Sequence, residues 1–334
     1  MTFLKITTIS LLLLSTFGFV KSEYYEESFI LMGTFVNIKV DNKGNCKKAV
    51  SAAIKEMKRL EIIFNLFDVN SELYKINNDK NKLNGIIISD EFLELLNLSF
   101  YINKISDGLF DPTVQPILDI WGFYSKDKNK APEGNIIKIK LAQVGMRNIE
   151  VDKTKKIIRF KNEGTKLDFN AVAKGYIVDK AANILKNMGV EKGIVDAGGD
   201  ISCFGKSEFE QWTIGMRHPK FKDRIIASIK IKNKAAATSG GYENYIIIDN
   251  EKLAHIINPK TGYPVKNNVL SSTVISNKCV ISDGLATALF ILKPEEGLKL
   301  IEGLKDVDCI IISEEGGKLR FTISQNIMDR VEIL

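Results

Sequence analysis

LDFNAVAKGYIVDKAANILKNMGVEKGIVDAGGD, residues 167–200, reads as strand end, tight turn, amphipathic helix, glycine stop, strand and a second glycine turn. Ala173, Ile177, Ala181, Ile184, Leu185 and Met188 recur at spacings of three and four, which predicts a helix with one apolar face. Gly189 stands where a left-handed C-terminal cap is wanted. Residues 193–196 form a short run suited to a buried strand, and Ala197-Gly198-Gly199-Asp200 turns the chain. Asp168 and Lys174 stand at the helix entrance, where free backbone N–H groups favour anions. The pattern suggests a phosphate or nucleotide site with a carboxylate placed to read another part of the ligand. Strand–glycine–helix units also occur as plain structure, and this one has neither GxGxxG nor GxxxxGK[ST]. A binding role and a structural one both fit the stretch taken alone.

The 334 residues are 45% hydrophobic and 26% charged, a globular composition sufficient for one large domain or two smaller ones. Net charge is +6, and Lys5 and Lys21 are the only charges in residues 1–22. The remaining charges are spread in sign, and no basic run interleaves with aromatics, which argues against nucleic-acid binding. The N-terminus carries a short basic region to Lys5, an apolar stretch at 6–20 around four consecutive leucines, and small residues before Ser22. This is the pattern of a secretory signal peptide, residues 1–22, preceding one domain at 23–334. An uncleaved anchor helix is the other reading of the same segment, since the apolar stretch is near the upper length for a leader. With cleavage, no stable transmembrane span remains. The expected location is exported, periplasmic or otherwise extracytoplasmic, with membrane association left open. Cys46 is too distant for a lipoprotein anchor, and Cys46, Cys203, Cys279 and Cys309 form no CxxC or metal-like cluster, so buried thiols are expected.

Along the chain, residues 28–40 read as a strand with Gly33 at a place of close approach. Residues 45–67 and 91–105 read as helices, the second capped by Ser89 and Asp90. A shaped loop spans 106–114, and a short helix follows at 116–121. A surface excursion is expected at 126–135, and two or three hairpin strands at 149–169. Strands are expected at 211–216, 225–231, 245–249 and 270–276. Residues 237–242 read as a glycine loop and 255–264 as a compact turn. A helix capped by Ser282 runs to Leu292, followed by a helix at 295–304 and an edge hairpin. Strands and helices mix without strict alternation, which favours α+β with mixed, mostly antiparallel sheets and packed helices.

Asp283 and Thr287 are four apart on one helix face, and a carboxylate with a hydroxyl suits Mg²⁺. A capping carboxylate with a Thr bonded back to the helix fits the same spacing. His255, beside Pro259 and Gly262, could serve as a general base or simply as a hydrogen-bonded turn residue. His218 precedes Pro219 in a polar stretch and reads as surface.

The set MGT at 32–34, SDGLFDPTVQP at 106–116 with WGF at 121–123, LDFNAVAKGY at 167–176, DAGGD at 196–200, TSGGYE at 238–243, HIINPKTGYPV at 255–265 and SDGLAT at 282–287 resembles the ApbE family, the FAD:protein FMN transferases or flavin transferases. Each motif is weak alone; their number and order are specific, and they cover nearly all of the chain after the leader. The resemblance implies an ApbE-like, T-fold-like architecture. It implies FAD as substrate, bound through Met32, the aromatic position matched by Phe67, Leu109, Phe110 and Asp111, Asp168, Lys174 and Ile257. It implies Mg²⁺ held by Asp283, Thr287 and the main-chain carbonyl of Ala171, and His255 as the base. The implied reaction moves FMN from FAD to a Thr or Ser hydroxyl of a target protein, an extracytoplasmic electron-transfer flavoprotein, and releases AMP. The sequence departs from the family at Asn258, where Asp is usual, at Ala286, where some members have a second Asp, at Phe67, where Tyr is frequent, and at Asn170, where Gly is usual. Two other activities suit the same residues: an Mg²⁺-dependent FAD pyrophosphatase giving FMN and AMP, and a non-enzymatic exported FAD-binding protein.

Overall fold

Two tight turns with left-handed backbone fold the main sheet. Met32 and Gly33 have φ of 52° and 69°, and Gly198 and Gly199 have 62° and 94°. A two-residue hairpin loop needs positive φ at both positions to match strand twist. The first turn joins Tyr24–Leu31 to Thr34–Asp41, the second Lys192–Ala197 to Asp200–Gly205. Residues 28–40 are thus the greater part of a hairpin, and not the single strand expected; Met32 is strained into a conformation that its composition does not signal. The turns also touch: Gly198 donates its N–H to the Phe35 carbonyl at 3.0 Å, and a Cβ on Gly198 would lie 2.3 Å from Thr34 Oγ1.

The computed structural model describes residues 23–125, 130–205, 211–221, 223–241, 245–248 and 251–334. The segment expected to be a signal peptide, part of the expected excursion at 126–135, and Tyr242 and Glu243 lie outside them. Among the described residues the central sheet has eight strands in the order Tyr24–Leu31, Thr34–Asp41, Lys192–Ala197, Asp200–Gly205, Ala235–Gly240, Val269–Ser276, Asp308–Glu315, Lys318–Ile323. Every pairing in it is antiparallel. Alternation sorts its side chains into two cores. Val274, Cys309 and Ile311 face the helices Cys46–Phe64, Ala173–Asn187 and Cys279–Ile291; Ala236, Ile275 and Ile310 face a three-stranded sheet of Val331–Ile333, Ile225–Ile231 and Trp212–Arg217. The α+β expectation holds.

The helix-side layer depends on one close crossing. A Cβ on Gly175 would lie 2.7 Å from the Cys279 carbonyl oxygen and 2.9 Å from Asp283 Cβ, so only glycine lets these two helices meet. One turn further along, Asp179 accepts from the backbone N–H groups of Cys279 and Val280 at 2.8 and 3.1 Å. It caps the partner helix across the crossing. The expected cap, Ser282, lies inside that helix, which begins at Cys279, and shares a hydrogen bond with Ser276 at 2.9 Å. A cap supplied from a distant helix leaves no local sequence mark.

Burial is the largest influence on the Asp179 carboxyl and raises it from 3.8 to about 6, opposed by the two N–H groups and by Lys278 and Lys186. The folded state therefore binds this proton more tightly than the unfolded chain. The associated stability is present below about pH 4 and is lost as pH rises through about 6. The stability advantage of the wild type over Asp179→Asn, from urea unfolding, is expected to shrink by about 2–3 kcal/mol between pH 4 and pH 7. A difference that stays constant over this range would show that Asp179 titrates normally.

Other expected elements shift in detail. The first helix is Cys46–Phe64, which leaves Phe67 in the following loop. Residues 237–242 are not a glycine loop: Ala235–Gly240 is a central strand, its small side chains admitting the helix Cys279–Ile291 onto the sheet. Ile149–Asp152 and Ile157–Phe160 form the expected hairpin, but their third strand is Ile86–Ile87, far back in the chain. The turn at 255–264 contains a small hairpin of Ile257–Asn258 and Tyr263–Pro264. All four cysteines are buried free thiols, as expected.

Candidate active site

The crossing at Gly175 brings charged groups from three motifs together. Asp283 Oδ2 accepts from the Gly175 N–H at 3.1 Å. Asp283 is on the fifth residue of its helix, too far in to cap it. Lys174 Nζ lies 3.0 Å from Asp200 Oδ2, although that oxygen has no hydrogen bond of acceptable geometry; the contact is one of charge. Asp200 also acts on Asp283 as a neighbouring like charge. Burial first, and then the charge of Asp200, push Asp283 well above the usual carboxylate range, against the pull of Lys174. Burial alone would lower Lys174, but Asp200 and Asp283 outweigh it and hold its proton more firmly than in a free lysine. Asp196 adds a further carboxyl, raised by burial and by Asp200, with Oδ1 accepting from Gly199 N–H at 2.8 Å.

Such a cluster is short of positive charge. Buried carboxylates that share a site are costly unless a cation balances them. Lys174 is one cation against Asp200 and Asp283. The donor types suit Mg²⁺: Thr287 Oγ1, on the same helix face as Asp283, shares a hydrogen bond with Ser239 Oγ at 3.3 Å and donates back to the Asp283 carbonyl at 3.5 Å, the back-bonding that the spacing also allowed. No group of three or more His, Cys, Asp or Glu side chains suited to a metal occurs among the described residues. Ala171, whose carbonyl the family resemblance names, stands in the turn leading into the Ala173–Asn187 helix.

Ala254, which precedes His255, packs near Gly241, two residues after Ser239. Ser239 touches Thr287; a Cβ on Gly241 would lie 2.9 Å from Phe290 and 3.4 Å from Ala254, the neighbour of His255. The turn that carries His255 is pinned from outside. Trp121 Nε1 donates to the Gly262 carbonyl at 2.8 Å, and Lys260 Nζ pairs with Asp107 at 2.6 Å. Asn258 Oδ1 accepts from Lys260 N–H at 2.9 Å, so the amide performs the turn-closing task open to an Asp there. Ile257 is buried beside Trp121 in a small core with Ile117 and Ile137.

The remaining expected residues fall into two groups. Met32 donates its N–H to Glu61 at 2.7 Å at the hairpin tip, next to the Gly198 turn. Leu109 and Phe110 are in the main core. Asp111 is buried with both oxygens engaged: Oδ1 accepts from Thr113 N–H and Oγ1–H at 2.9 and 2.6 Å, Oδ2 from Met146 N–H at 3.3 Å. Burial raises its carboxyl, and these donors oppose the rise. Phe67, Asp168 and Tyr124 form a separate corner. Asp168 accepts from the Tyr124 hydroxyl at Oδ2 and from Asn170 N–H at Oδ1, the latter at 2.8 Å. Burial is the main cause raising Asp168, while the Tyr124 bond lowers it.

Sequence patterns missed Asp200, Ser239 and Tyr124. Asp200 was visible as the final residue of DAGGD, but its turn to the interior depends on the hairpin register. His218, expected at the surface, accepts at Nδ1 from Lys220 and Phe221 N–H at 3.0 and 3.2 Å and closes its own loop.

The ApbE family pattern matches residues 32–311. The FAD:protein FMN transferase of Klebsiella pneumoniae is 28% identical over 294 residues, 87% of this chain and 89% of that protein. That of Buchnera aphidicola is 30% identical over 269 residues, 78% of each. The crystal structure of the ApbE protein from Thermotoga maritima superposes with a TM-score of 0.81 at 32% identity, covering 91% of this chain and 97% of that one. A single-residue mutant of the flavin transferase ApbE from Vibrio cholerae gives 0.80 at 25% identity, covering 91% and 98%. With the motifs in family order, the matching fold and the carboxylate cluster at the helix crossing, this chain belongs to the ApbE family.

Proposed function

We propose that this protein transfers FMN from FAD to a Thr or Ser hydroxyl of a target protein and releases AMP. The observation that carries the reading is the buried cluster of Asp283, Asp200 and Lys174, next to Thr287 and Ser239. The names of the curated relatives support it.

Asp283, Thr287 and the Ala171 carbonyl would hold Mg²⁺. When bound, Mg²⁺ neutralises charge on the pyrophosphate and stabilises the developing charge of phosphoryl transfer. Asp200 keeps Lys174 charged and in place. Lys174 then supplies positive charge toward the substrate phosphates. Asp111 fixes the 106–116 loop from within. The His255 imidazole takes the proton of the acceptor hydroxyl. The acceptor oxygen bonds to the FMN-side phosphorus, the P–O bond of the anhydride to AMP breaks, and AMP leaves. The product is a phosphoester-linked flavin.

The test is incubation with FAD, Mg²⁺ and a candidate acceptor domain, read by intact mass and by AMP release. An acceptor gaining the mass of FMN less one water, with equal AMP, is expected. AMP without acceptor labelling would replace the reading with FAD hydrolysis, and FAD binding without AMP would replace it with a binding protein.

A further inference from the structure

Tyr124 follows the Gln115–Trp121 helix and its left-handed Gly122, and no family motif includes it. Its hydroxyl donates to Asp168 Oδ2 and accepts from Asn170 Nδ2 at 3.3 Å. Its ring meets Phe67 at 5.1 Å between centroids, with 74° between the planes. Asp168 Oδ1 is held by its own turn through the Asn170 N–H, so Oδ2 is the oxygen available to a ligand, and Tyr124 is seated on it. Asp168 is 6% exposed, whereas Tyr124 is 38% and Phe67 61% exposed, so a ligand approaching the carboxyl meets the two rings first. Two rings at nearly a right angle offer a flat heterocycle one face for stacking and one edge to abut. A carboxylate at the base of that corner accepts only from donors. Asn170, which stands where the family usually has Gly, ties the phenol in place, so the arrangement is built from this chain's own departures.

We infer that Tyr124 is a specificity-determining residue: its phenol holds Asp168 Oδ2, and a planar heterocycle with an N–H donor binds by taking that oxygen and stacking on the Phe67–Tyr124 corner. The inference rests on the FAD reading of the site. FAD carries two such donors, the adenine amino group and the flavin imide N–H. Either must compete with the phenol, and a hydrogen bond to a carboxylate is among the stronger kinds. Tyr124→Phe keeps the ring and removes the competitor. A residue that merely braces Asp168 would have the opposite effect, because its loss would disorder the ligand's acceptor.

Calorimetric titration of FAD, FMN and AMP, each with Mg²⁺, into the full protein separates these cases. Tyr124→Phe is expected to bind FAD about tenfold more tightly than wild type. Asn170→Gly, which frees the phenol from its second partner, should shift affinity in the same direction by less. Tyr124→Ala, which loses the ring as well, should bind FAD about fivefold or more weakly than Tyr124→Phe. A gain repeated with AMP assigns the donor to adenine, and one repeated with FMN assigns it to the flavin. FAD affinity unchanged within about twofold, or weakened, in both Tyr124→Phe and Asn170→Gly overturns the inference. Wild type that binds FAD without transferring FMN overturns the transferase reading alone; wild type that binds no FAD overturns both.

Discussion

His255→Ala is expected to lower flavin transfer to an acceptor by roughly a hundredfold or more while FAD affinity stays near that of wild type. A serine or threonine hydroxyl is a poor nucleophile at neutral pH without a base, and removing a general base typically costs on the order of 10²–10⁴ in rate. The structure keeps the other tasks apart. The charged cluster is assembled by Lys174, Asp200 and Asp283, and the aromatic corner by Phe67, Tyr124 and Asp168. The turn around His255 is held by Trp121 and Lys260, so truncating the imidazole leaves its two external ties intact. Slow AMP release to water should persist, because the phosphate-binding groups remain. The checks are initial rates of acceptor labelling and a separate FAD titration. A fall in transfer of less than about tenfold would assign the base elsewhere. Asp111 would be a poor substitute, since Thr113 and Met146 occupy both its oxygens. Loss of FAD binding together with transfer would make His255 a binding or turn residue.

The helices with a regular apolar period were legible because packing selects on that period. Ala173–Asn187 and its left-handed Gly189 appear where the sequence places them. Antiparallel pairing was less legible, because pairing distance is not written in either strand. The Met32-Gly33 turn shows why: one of its two positive-φ positions is a methionine, so the usual Asn-Gly or Gly-Gly signal is absent. The strand Ala235–Gly240 was hidden for the opposite reason. Its Ala, Ser and Gly residues resemble a loop, but small side chains are what the close approach of the Cys279–Ile291 helix requires.

The site shows the same division. Asp283 and Thr287 are four residues apart, so a helix joins them without help from the rest of the chain. Asp200 joins them only after the second hairpin has set its register and the Gly175 crossing has closed. Tyr124 reaches Asp168 across 44 residues, and no periodicity connects the two. Side chains that meet through tertiary contacts alone can be found from sequence only by likeness to a family. Where this chain departs from that likeness, as at Asn170, the contact is new.

Asp283→Ala is expected to reduce AMP release with Mg²⁺ by about a thousandfold, the loss of several kcal/mol of transition-state stabilisation. The fold should tolerate the change better than most losses of a buried carboxylate. Asp283 lies beside Asp200, with Lys174 as their shared cation. Its removal leaves Lys174 and Asp200 as a balanced pair and relieves the repulsion that raises Asp283. One cost remains: the Gly175 N–H loses its acceptor, worth about 1–3 kcal/mol when buried. Asp283→Asn retains an acceptor of the same size, so it should match or exceed the wild-type Tm without metal while losing activity to a similar degree. Metal linkage gives a second readout, since an ion that binds the folded state raises Tm as its concentration rises. Wild-type Tm should increase across a Mg²⁺ titration, whereas both variants should show little response. If Asp283→Asn keeps Mg²⁺-dependent activity but melts at a lower temperature, the carboxylate is a brace between the two helices and the metal lies elsewhere.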